Sequence, residues 1–568
     1  MGTTVHGNPL ATTALVFASQ PVPLIRGYAV VDIRQWDVED TDFWDETGRA
    51  IADRNMWISI ACLMAGYGVW LLWGILTVQM LNLGFEFSIY ELFSLTAIAG
   101  LAGATLRIPS SFFVHLYGGR NTIFFTTALL IIPIVGAGIF LQHKDTPLWV
   151  FQLLALLSGL GGGNFASSVS NISLLFPRRM LDMALGLNVG LGSFGICLMQ
   201  ILIPLAMTFA LLGSLGGDSM SLENTSGTMI GKISVGRSIW IQNGGYVWLL
   251  TLLPLLVVVW RSMNNIITAQ VRTNIGHPLS GFLPMTGMLL IGMLTASLGL
   301  WLMLPETANG SGLNLPEELV LILVLAATVY LLKILPGHIH SNVLRHYRVF
   351  DNKHTWIMSL IYTMTFGSFI GFAAAFPLII KVVFGFSHLI GSEGTLTHDT
   401  VNPNGPSALM YAWMGAFIGA FARPLGRWLA TRIGGAMATQ LACIIMLVSV
   451  VGAAHYMSAA YRSATPEQFF IPFLLLFLLL FAATGIGNGS TGRTITTLFS
   501  AEQAGPVLTW SSAIAAFGAF YIPQVFGGQI RDTAPLEHAL YGFAFFYSIC
   551  LIINWWVYLR KQSEFCNP

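Results

Sequence analysis

Two arginines stand inside apolar stretches where a charge is costly. Arg107 lies in "TAIAGLAGATLRIPSSFFVHLYGG" and Arg423 in "FIGAFARPLGRWLATRIGG", and neither stretch contains Asp or Glu. A charge at the centre of a bilayer costs a few kcal/mol on insertion scales. A guanidinium is always charged and donates in a planar fork, which suits a small planar oxyanion. The pair therefore predicts an anion site, with snorkelling to the membrane surface as the structural alternative.

The two arginines belong to an internal repeat. "ATLRIPSSFFVHLYGG" and "AFARPLGRWLATRIGG" both carry Gly-Gly at the same distance after the arginine. A second pair, "GGGNFASS" and "GIGNGSTG", follows in the same order in each half. Such a repeat predicts two pseudo-symmetric helix bundles around a central pathway.

The glycine–asparagine segments supply further candidate binding residues. Buried amides need partners, and amide N–H groups can donate to anion oxygens. Small residues let backbones approach, so close helix packing is the alternative interpretation of the glycines. The candidates are Gly163, Asn164, Asn188, Gly487 and Asn488.

The composition is that of an all-α polytopic membrane protein. Of the 568 residues, 55% are hydrophobic and 9% charged, against roughly a quarter charged in soluble domains. The net charge of +1 gives no indication of a nucleic-acid partner, and the five cysteines show no metal or disulfide spacing. We expect no cofactor and no bound metal.

A bilayer core needs about 20 apolar residues per helix. Fourteen spans are predicted, near 56–81, 89–116, 121–142, 147–176, 183–212, 246–261, 283–304, 317–336, 355–383, 405–428, 435–460, 468–491, 504–527 and 538–559. They divide the chain into a lead-in (1–55), a first bundle (56–262), a central linker with two extra helices (263–354), a second bundle (355–559) and a tail (560–568). Most Lys and Arg residues fall in the loops on the side of the two termini, which predicts that both termini are cytoplasmic.

Several stretches resemble one transporter family. "TLRIPSSF", "GGGNFASSVSNISLLFP", "ALGLNVGLGSFG", "WIMSLIYTMTFGSFIGF", "FIGAFARPLG" and "GIGNGSTGRTI" are similar to the nitrate/nitrite porters of the major facilitator superfamily, and the resemblance covers about residues 36–528. It implies two six-helix bundles with alternating access, a place in the bacterial inner membrane, and nitrate and nitrite as partners. The two extra central helices depart from that pattern, and "GRWLATRIGG" lacks the acid common in the superfamily's loop motif.

The resemblance also implies roles for single residues. Arg107 and Arg423 match the family's substrate-binding arginines, and Phe165 and Phe366 match aromatic residues that enclose the planar anion. Tyr362 matches a tyrosine that lines the site. Asn188 and the "GIGNGSTG" segment match the family's signatures. Without the resemblance, Phe165 and Phe366 are interpreted as core aromatics.

Four functions remain open from the residues. Nitrate/nitrite exchange is favoured over proton-coupled nitrate uptake, because proton coupling usually needs a titratable group in the pathway, and every Asp and Glu falls in a tail, in a loop or at the end of a predicted span. A haem-bearing redox enzyme needs paired histidines in facing spans, whereas most of the 12 histidines fall in loops or tails, so no enzyme is expected. A passive anion channel is the fourth possibility. The oligomeric state is not predicted, and a monomer is compatible with the sequence.

Overall fold

A computed structural model describes residues 32–33, 35–267, 278–304, 312–336, 338–390 and 396–568. Most of the predicted lead-in and parts of the central linker lie outside these residues. The long helices are α1 (Thr41–Asn82), α2 (Ile89–Tyr117), α3 (Gly119–Phe140), α4 (Leu148–Leu175), α5 (Arg178–Ala206), α6 (Asn243–Ser262), α7 (Pro278–Met303), α8 (Glu317–Ile334), α9 (Lys353–Phe384), α10 (Ala408–Ile433), α11 (Gly435–Ala460), α12 (Pro466–Leu498), α13 (Gln503–Arg531) and α14 (Glu537–Leu559). A shorter helix, His338–Tyr347, lies between α8 and α9.

Twelve of these helices, among the described residues, are long and apolar enough to cross a membrane. The remaining two are α8 and α10. Helix α10 has 26 residues and packs against α12 and α5, so its Arg423 is buried among spanning helices. Helix α8 has 18 residues, with two acids in its first turn and Lys333 in its last. The predicted helices are therefore present, while the crossing of α8 stays a prediction.

Short strands pair outside the helices. β1 (Asp32–Ile33) is parallel to β6 (Asn265–Ile266). Three antiparallel pairs join β2 (Met220–Ser221) to β5 (Ser238–Ile239), β3 (Ser226–Thr228) to β4 (Gly231–Ile233), and β7 (Phe386–Ile390) to β8 (Leu396–Val401). We call the end of the molecule that carries the pair β1–β6 and the tail the inner end. The opposite end, with the three antiparallel pairs, is the outer end.

The repeat reappears as backbone geometry. Helices α2 and α10, which carry the two arginines, both end at a glycine of positive φ, Gly118 at 83° and Gly434 at 90°. L-residues with a side chain rarely adopt this conformation. The glycines that sequence analysis paired therefore make the same tight turn into the next helix in each half.

The hairpin α7–α8 lies against the outside of the first half. The two helices are joined by a hydrogen bond between the Thr295 and Thr328 hydroxyls at 2.7 Å. Gly292 of α7 faces Leu106 and Pro109 of α2, while Leu283 and Leu294 are exposed. The hairpin is thus peripheral and contributes nothing to the centre of the molecule.

The two halves touch at the outer end. Gln200 of α5 donates to the Ala373 carbonyl of α9 at 3.0 Å, and Gly100 of α2 lies against the Ala519 backbone of α13. The cavity beside Arg423 described below lies toward the inner end, and so does a second cavity lined by Ser111, Ser170 and Thr509. The described conformation is therefore closed outside and partly open inside.

Candidate functional site

Arg107 is fully buried, and most of its N–H groups face acceptors of the protein. Its Nε donates to the Gly162 carbonyl of α4 and its Nη1 to the Ser512 carbonyl of α13, both at 3.1 Å. Its Nη2 lies 3.5 Å from the Tyr67 hydroxyl. Since Ser512 belongs to the second half, this arginine bridges the two bundles.

Aromatic rings enclose the Arg107 guanidinium. Its Cζ lies 4.4 Å from the Phe165 ring centre, 5.2 Å from Phe366 and 5.0 Å from Trp70. Such contacts stabilise a cation away from water. The Phe165 and Phe366 ring centres are 6.1 Å apart, with planes inclined by 29°. A flat anion between two rings needs about 7 Å, twice a van der Waals contact, so the sandwich implied by the resemblance is closed here and stays a prediction.

Arg423 has a different set of contacts. Its Nη1 donates to the Val189 carbonyl of α5 at 3.2 Å, and its Cζ lies 4.5 Å from the Phe369 ring and 5.5 Å from the Phe366 ring. Its Nε and Nη2 are buried and have no hydrogen-bond partner. A buried charged donor without a partner is costly, so these two nitrogens require an acceptor.

The unmet donors of Arg423 lie at a cavity that reaches toward the inner end. The cavity has a volume of about 170 Å³ and is lined by Arg423, Tyr362 and Asn488 together with residues of α5 and α12. One water needs only ~15 Å³, so a small anion fits with accompanying water. The Asn488 amide lies beside the Tyr362 hydroxyl, and its Nδ2 has no partner within hydrogen-bond distance. Guanidinium, amide and phenol thus form a set of donors around one space.

The centre of the protein carries uncompensated positive charge. Among the described residues, neither Arg107 nor Arg423 forms an ion pair with a carboxylate. Both Cζ atoms lie within 5.5 Å of the Phe366 ring centre, and the two charges repel each other. At roughly 10 Å and an effective dielectric near 20, the repulsion is about 2 kcal/mol. An anion between them removes this repulsion.

The other predicted residues are spread around this centre. Asn188 accepts a hydrogen bond from the Ser168 hydroxyl at 2.9 Å, while its Nδ2 has no partner. Asn164 is buried against Gly66 of α1, and both of its amide atoms are unpartnered.

Gly163 and Gly487 are helix contacts in this structure. A Cβ on Gly163 would lie 2.6 Å from the Ser110 Oγ, and one on Gly487 would lie 2.6 Å from the Thr365 Cγ2. The packing interpretation of both glycines therefore has direct support, and a ligand role for either stays a prediction.

Two aromatic residues and one ion pair at the candidate site were not predicted from the sequence. Tyr67 and Trp70 of α1 border Arg107, and the Trp70 ring is fixed by a hydrogen bond from its Nε1 to the Ala99 carbonyl at 2.7 Å. Their signal was "YGVW", two aromatic side chains with polar tips in the middle of a span. Asp182 of α5 and Arg427 of α10 form an ion pair at the cavity, so one carboxylate does line it.

Comparison with known proteins identifies the family. The chain is 32% identical over 532 residues to the probable nitrate/nitrite antiporter NarK2 of Thermus thermophilus, covering 94% of this chain and 97% of that protein. The chain belongs to the nitrate/nitrite porter family. Another member, the nitrate/nitrite transporter NarU of Escherichia coli, is 31% identical over 551 residues, with 93% and 96% covered. A comparison with models of protein families finds no match.

The fold of this nitrate/nitrite porter is that of the major facilitator superfamily. The proton:xylose symporter XylE superposes with a TM-score of 0.51 at 12% identity, covering 92% of this chain and 98% of that one. An auto-inhibited peptide transporter of the POT family superposes with a TM-score of 0.53 at 13% identity, covering 89% and 95%. At these identities the likeness concerns the fold alone.

Proposed function

We propose that this protein exchanges nitrate for nitrite across the bacterial inner membrane by alternating access, with both termini in the cytoplasm. The names of the two relatives support the substrates, since both are called nitrate/nitrite carriers and one an antiporter. In this proposal the inner end faces the cytoplasm, and nitrate and nitrite bind at the cavity beside Arg423.

The unmet donors of Arg423 carry the proposal. Nitrate and nitrite are planar, present two oxygens to a fork, and carry the single negative charge that the arginine pair lacks. At about 4 Å and an effective dielectric near 20, one such contact is worth about 4 kcal/mol before desolvation. Tyr362 and Asn488 add neutral donors. Phe165, Phe366 and Arg107 complete the site once the rings move apart.

Exchange follows from the charge of the empty site. Without an anion, the two arginines repel each other, so any conformation that brings both toward one closed centre is disfavoured. With an anion bound, the repulsion is offset and the bundles can reorient. A carrier of this kind reorients back to its first conformation only when it holds the anion that is transported in the opposite direction. Asp182, the carboxylate at the cavity, is already paired with Arg427 and is not needed for proton transfer in this scheme.

The test is counter-transport in proteoliposomes. Vesicles loaded with nitrite and empty vesicles receive external nitrate, each with and without an inward proton gradient. We expect nitrate entry only into nitrite-loaded vesicles, at a rate that the proton gradient does not change. Entry into empty vesicles driven by the proton gradient would instead establish symport, and entry that follows voltage alone would establish a channel. Arg423→Gln should abolish exchange, while Arg432→Gln, on the same helix but outside the cavity, should not.

A further inference from the structure

An ion pair between the two halves borders the inner cavity. The Asp182 carboxylate of α5 pairs with the Arg427 guanidinium of α10 and accepts a hydrogen bond from the Thr496 hydroxyl of α12 at 2.7 Å. Helix α5 belongs to the first half, and α10 and α12 belong to the second. The group therefore joins the two bundles near the inner end.

Arg427 lies on the route from Arg423 to the inner end. The two arginines are four residues apart on α10, which places them on one face of the helix, and both line the cavity. Gly186 of α5 leaves room for the guanidinium, since a Cβ there would lie 2.7 Å from the Arg427 Nη1. One turn further, a Cβ on Gly190 would meet nothing within 4 Å. At these two positions the wall opposite the arginines is backbone without a side chain.

The Asp182 carboxylate has the shape of the proposed substrate. It is planar, carries one negative charge and presents two oxygens, as nitrate and nitrite do, and a guanidinium binds all three with the same fork. The Asp182 and Arg427 side chains are 43% and 23% exposed, so water and ions reach the pair. An anion that leaves Arg423 toward the inner end therefore meets a second guanidinium, that of Arg427, whose anion-binding position is already occupied by the Asp182 carboxylate.

We propose that Arg427 is a second binding position for the transported anion and that Asp182 occupies this position when no anion does. The proposal rests on the proposed function, because it concerns the same anions. The arriving anion displaces the carboxylate, and this breaks the link between α5 and α10 and frees their inner ends to separate. No covalent bond or proton transfer is involved.

Equilibrium binding of nitrate to the purified full-length protein tests this position. Asp182→Asn keeps the shape and removes the competing charge, so nitrate binding should tighten, by about threefold for a partly exposed pair. Arg427→Gln removes the position and leaves a carboxylate unpaired in the route, so binding should weaken by about the same factor. If the ion pair only held the bundles together, both variants would shift binding in the same direction.

Arg427→Lys distinguishes direct binding of nitrate by the Arg427 guanidinium from electrostatic attraction by its charge at a distance. Lysine keeps the charge and loses the fork, so nitrate binding should weaken in this variant, and wild-type binding would overturn the proposal. Shifts of the same sign in Asp182→Asn and Arg427→Gln would also overturn it. Arg432→Gln removes an equal charge from α10 outside the cavity and should change nothing. An effect as large as that of Arg427→Gln would refute the assignment.

Two further outcomes keep the test decisive. If Asp182→Asn does not fold, Thr496→Val loosens the carboxylate without changing any charge and should still tighten nitrate binding. Unchanged or weaker binding in that variant would overturn the proposal. If the wild-type protein binds no nitrate at all, the proposed function fails, and this position fails with it.

Discussion

Replacing Arg423 by lysine isolates the contribution of the guanidinium fork. Lysine retains the charge, and with it the attraction of about 4 kcal/mol expected at 4 Å and an effective dielectric near 20. It loses the paired geometry of Nε and Nη2, the two donors without partners. A hydrogen bond to a charged group contributes about 1.5–3 kcal/mol. Losing one of the two should weaken nitrate binding roughly tenfold to a hundredfold.

The assay is a titration of the purified protein with nitrate, accompanied by a thermal unfolding curve. Arg432→Lys is the matched control, because Arg432 lies on the same helix, is exposed and stacks on Trp428 with its Cζ 5.8 Å from the ring centre. Its replacement removes a guanidinium of the same charge from outside the cavity. Nitrate affinity should be unchanged in the control and reduced in Arg423→Lys, at similar melting temperatures.

Wild-type nitrate affinity in Arg423→Lys would refute the reasoning. Such a result would mean that the anion is held by charge alone or elsewhere, and that the unmet donors have water as their acceptor. A loss of affinity accompanied by an equal loss in Arg432→Lys would also count against the site. It would point to a general effect of replacing an arginine on α10 rather than to the fork of Arg423, because lysine keeps the charge in both variants.

Three further predictions concern other parts of the molecule. Arg107→Lys should slow nitrate–nitrite exchange more than it weakens equilibrium nitrate binding, as measured by counter-transport and titration of the same preparation. Gly162→Ala places a Cβ 2.6 Å from the Gly103 Cα, and because backbone cannot rotate away it should lower the free energy of unfolding by about 1–3 kcal/mol. Gly287→Ala, whose Cβ meets nothing within 4 Å, should leave the melting temperature unchanged. Burial lowers the pKa of His388, outside the spans, from 6.5 to about 4. The folded protein therefore favours the neutral ring. The contribution of His388 to the free energy of unfolding is fully present above the usual histidine pKa of 6.5 and is lost as the pH falls toward 4. The melting temperature should drop between about pH 7 and about pH 5, and less so in His388→Gln.

The fold was predictable because membrane helices are encoded locally. Length, apolarity and loop charge locate each span without knowledge of its neighbours. The matched Gly-Gly turns at Gly118 and Gly434 revealed the repeat, because only glycine readily adopts their φ. Helix α10 was predicted as well, near 405–428, although its arginines make it less apolar than the other spans. Its place follows from packing against α12 and α5, which no local window of sequence contains.

The site was predictable in its charges and unpredictable in its contacts. An arginine without a nearby acid is conspicuous in an apolar span, and so Arg107 and Arg423 were predicted as anion-binding residues, a role that stays a prediction. Their partners are backbone carbonyls at Gly162, Ser512 and Val189, and every residue has a carbonyl, so the sequence carries no signal for them.

The cavity ion pair was missed for a related reason. Asp182 and Arg427 are 245 positions apart in the numbering of the chain, in different halves, and each alone is an ordinary charge near a helix end. They meet only because the two bundles meet.

The two arginines are equivalent in the repeat and unequal in the structure, and this inequality bears on transport. An anion at Arg423 displaces no protein acceptor from Nε or Nη2, because neither has one. An anion at Arg107 must replace carbonyl acceptors already in place, and the net gain of such an exchange is small. One of those carbonyls, at Ser512, belongs to the opposite half. We therefore expect the anion to bind first at Arg423 and to reach Arg107 only as α13 moves away from α2. We then expect binding at Arg423 to set the affinity and transfer to Arg107 to depend on the movement of the bundles.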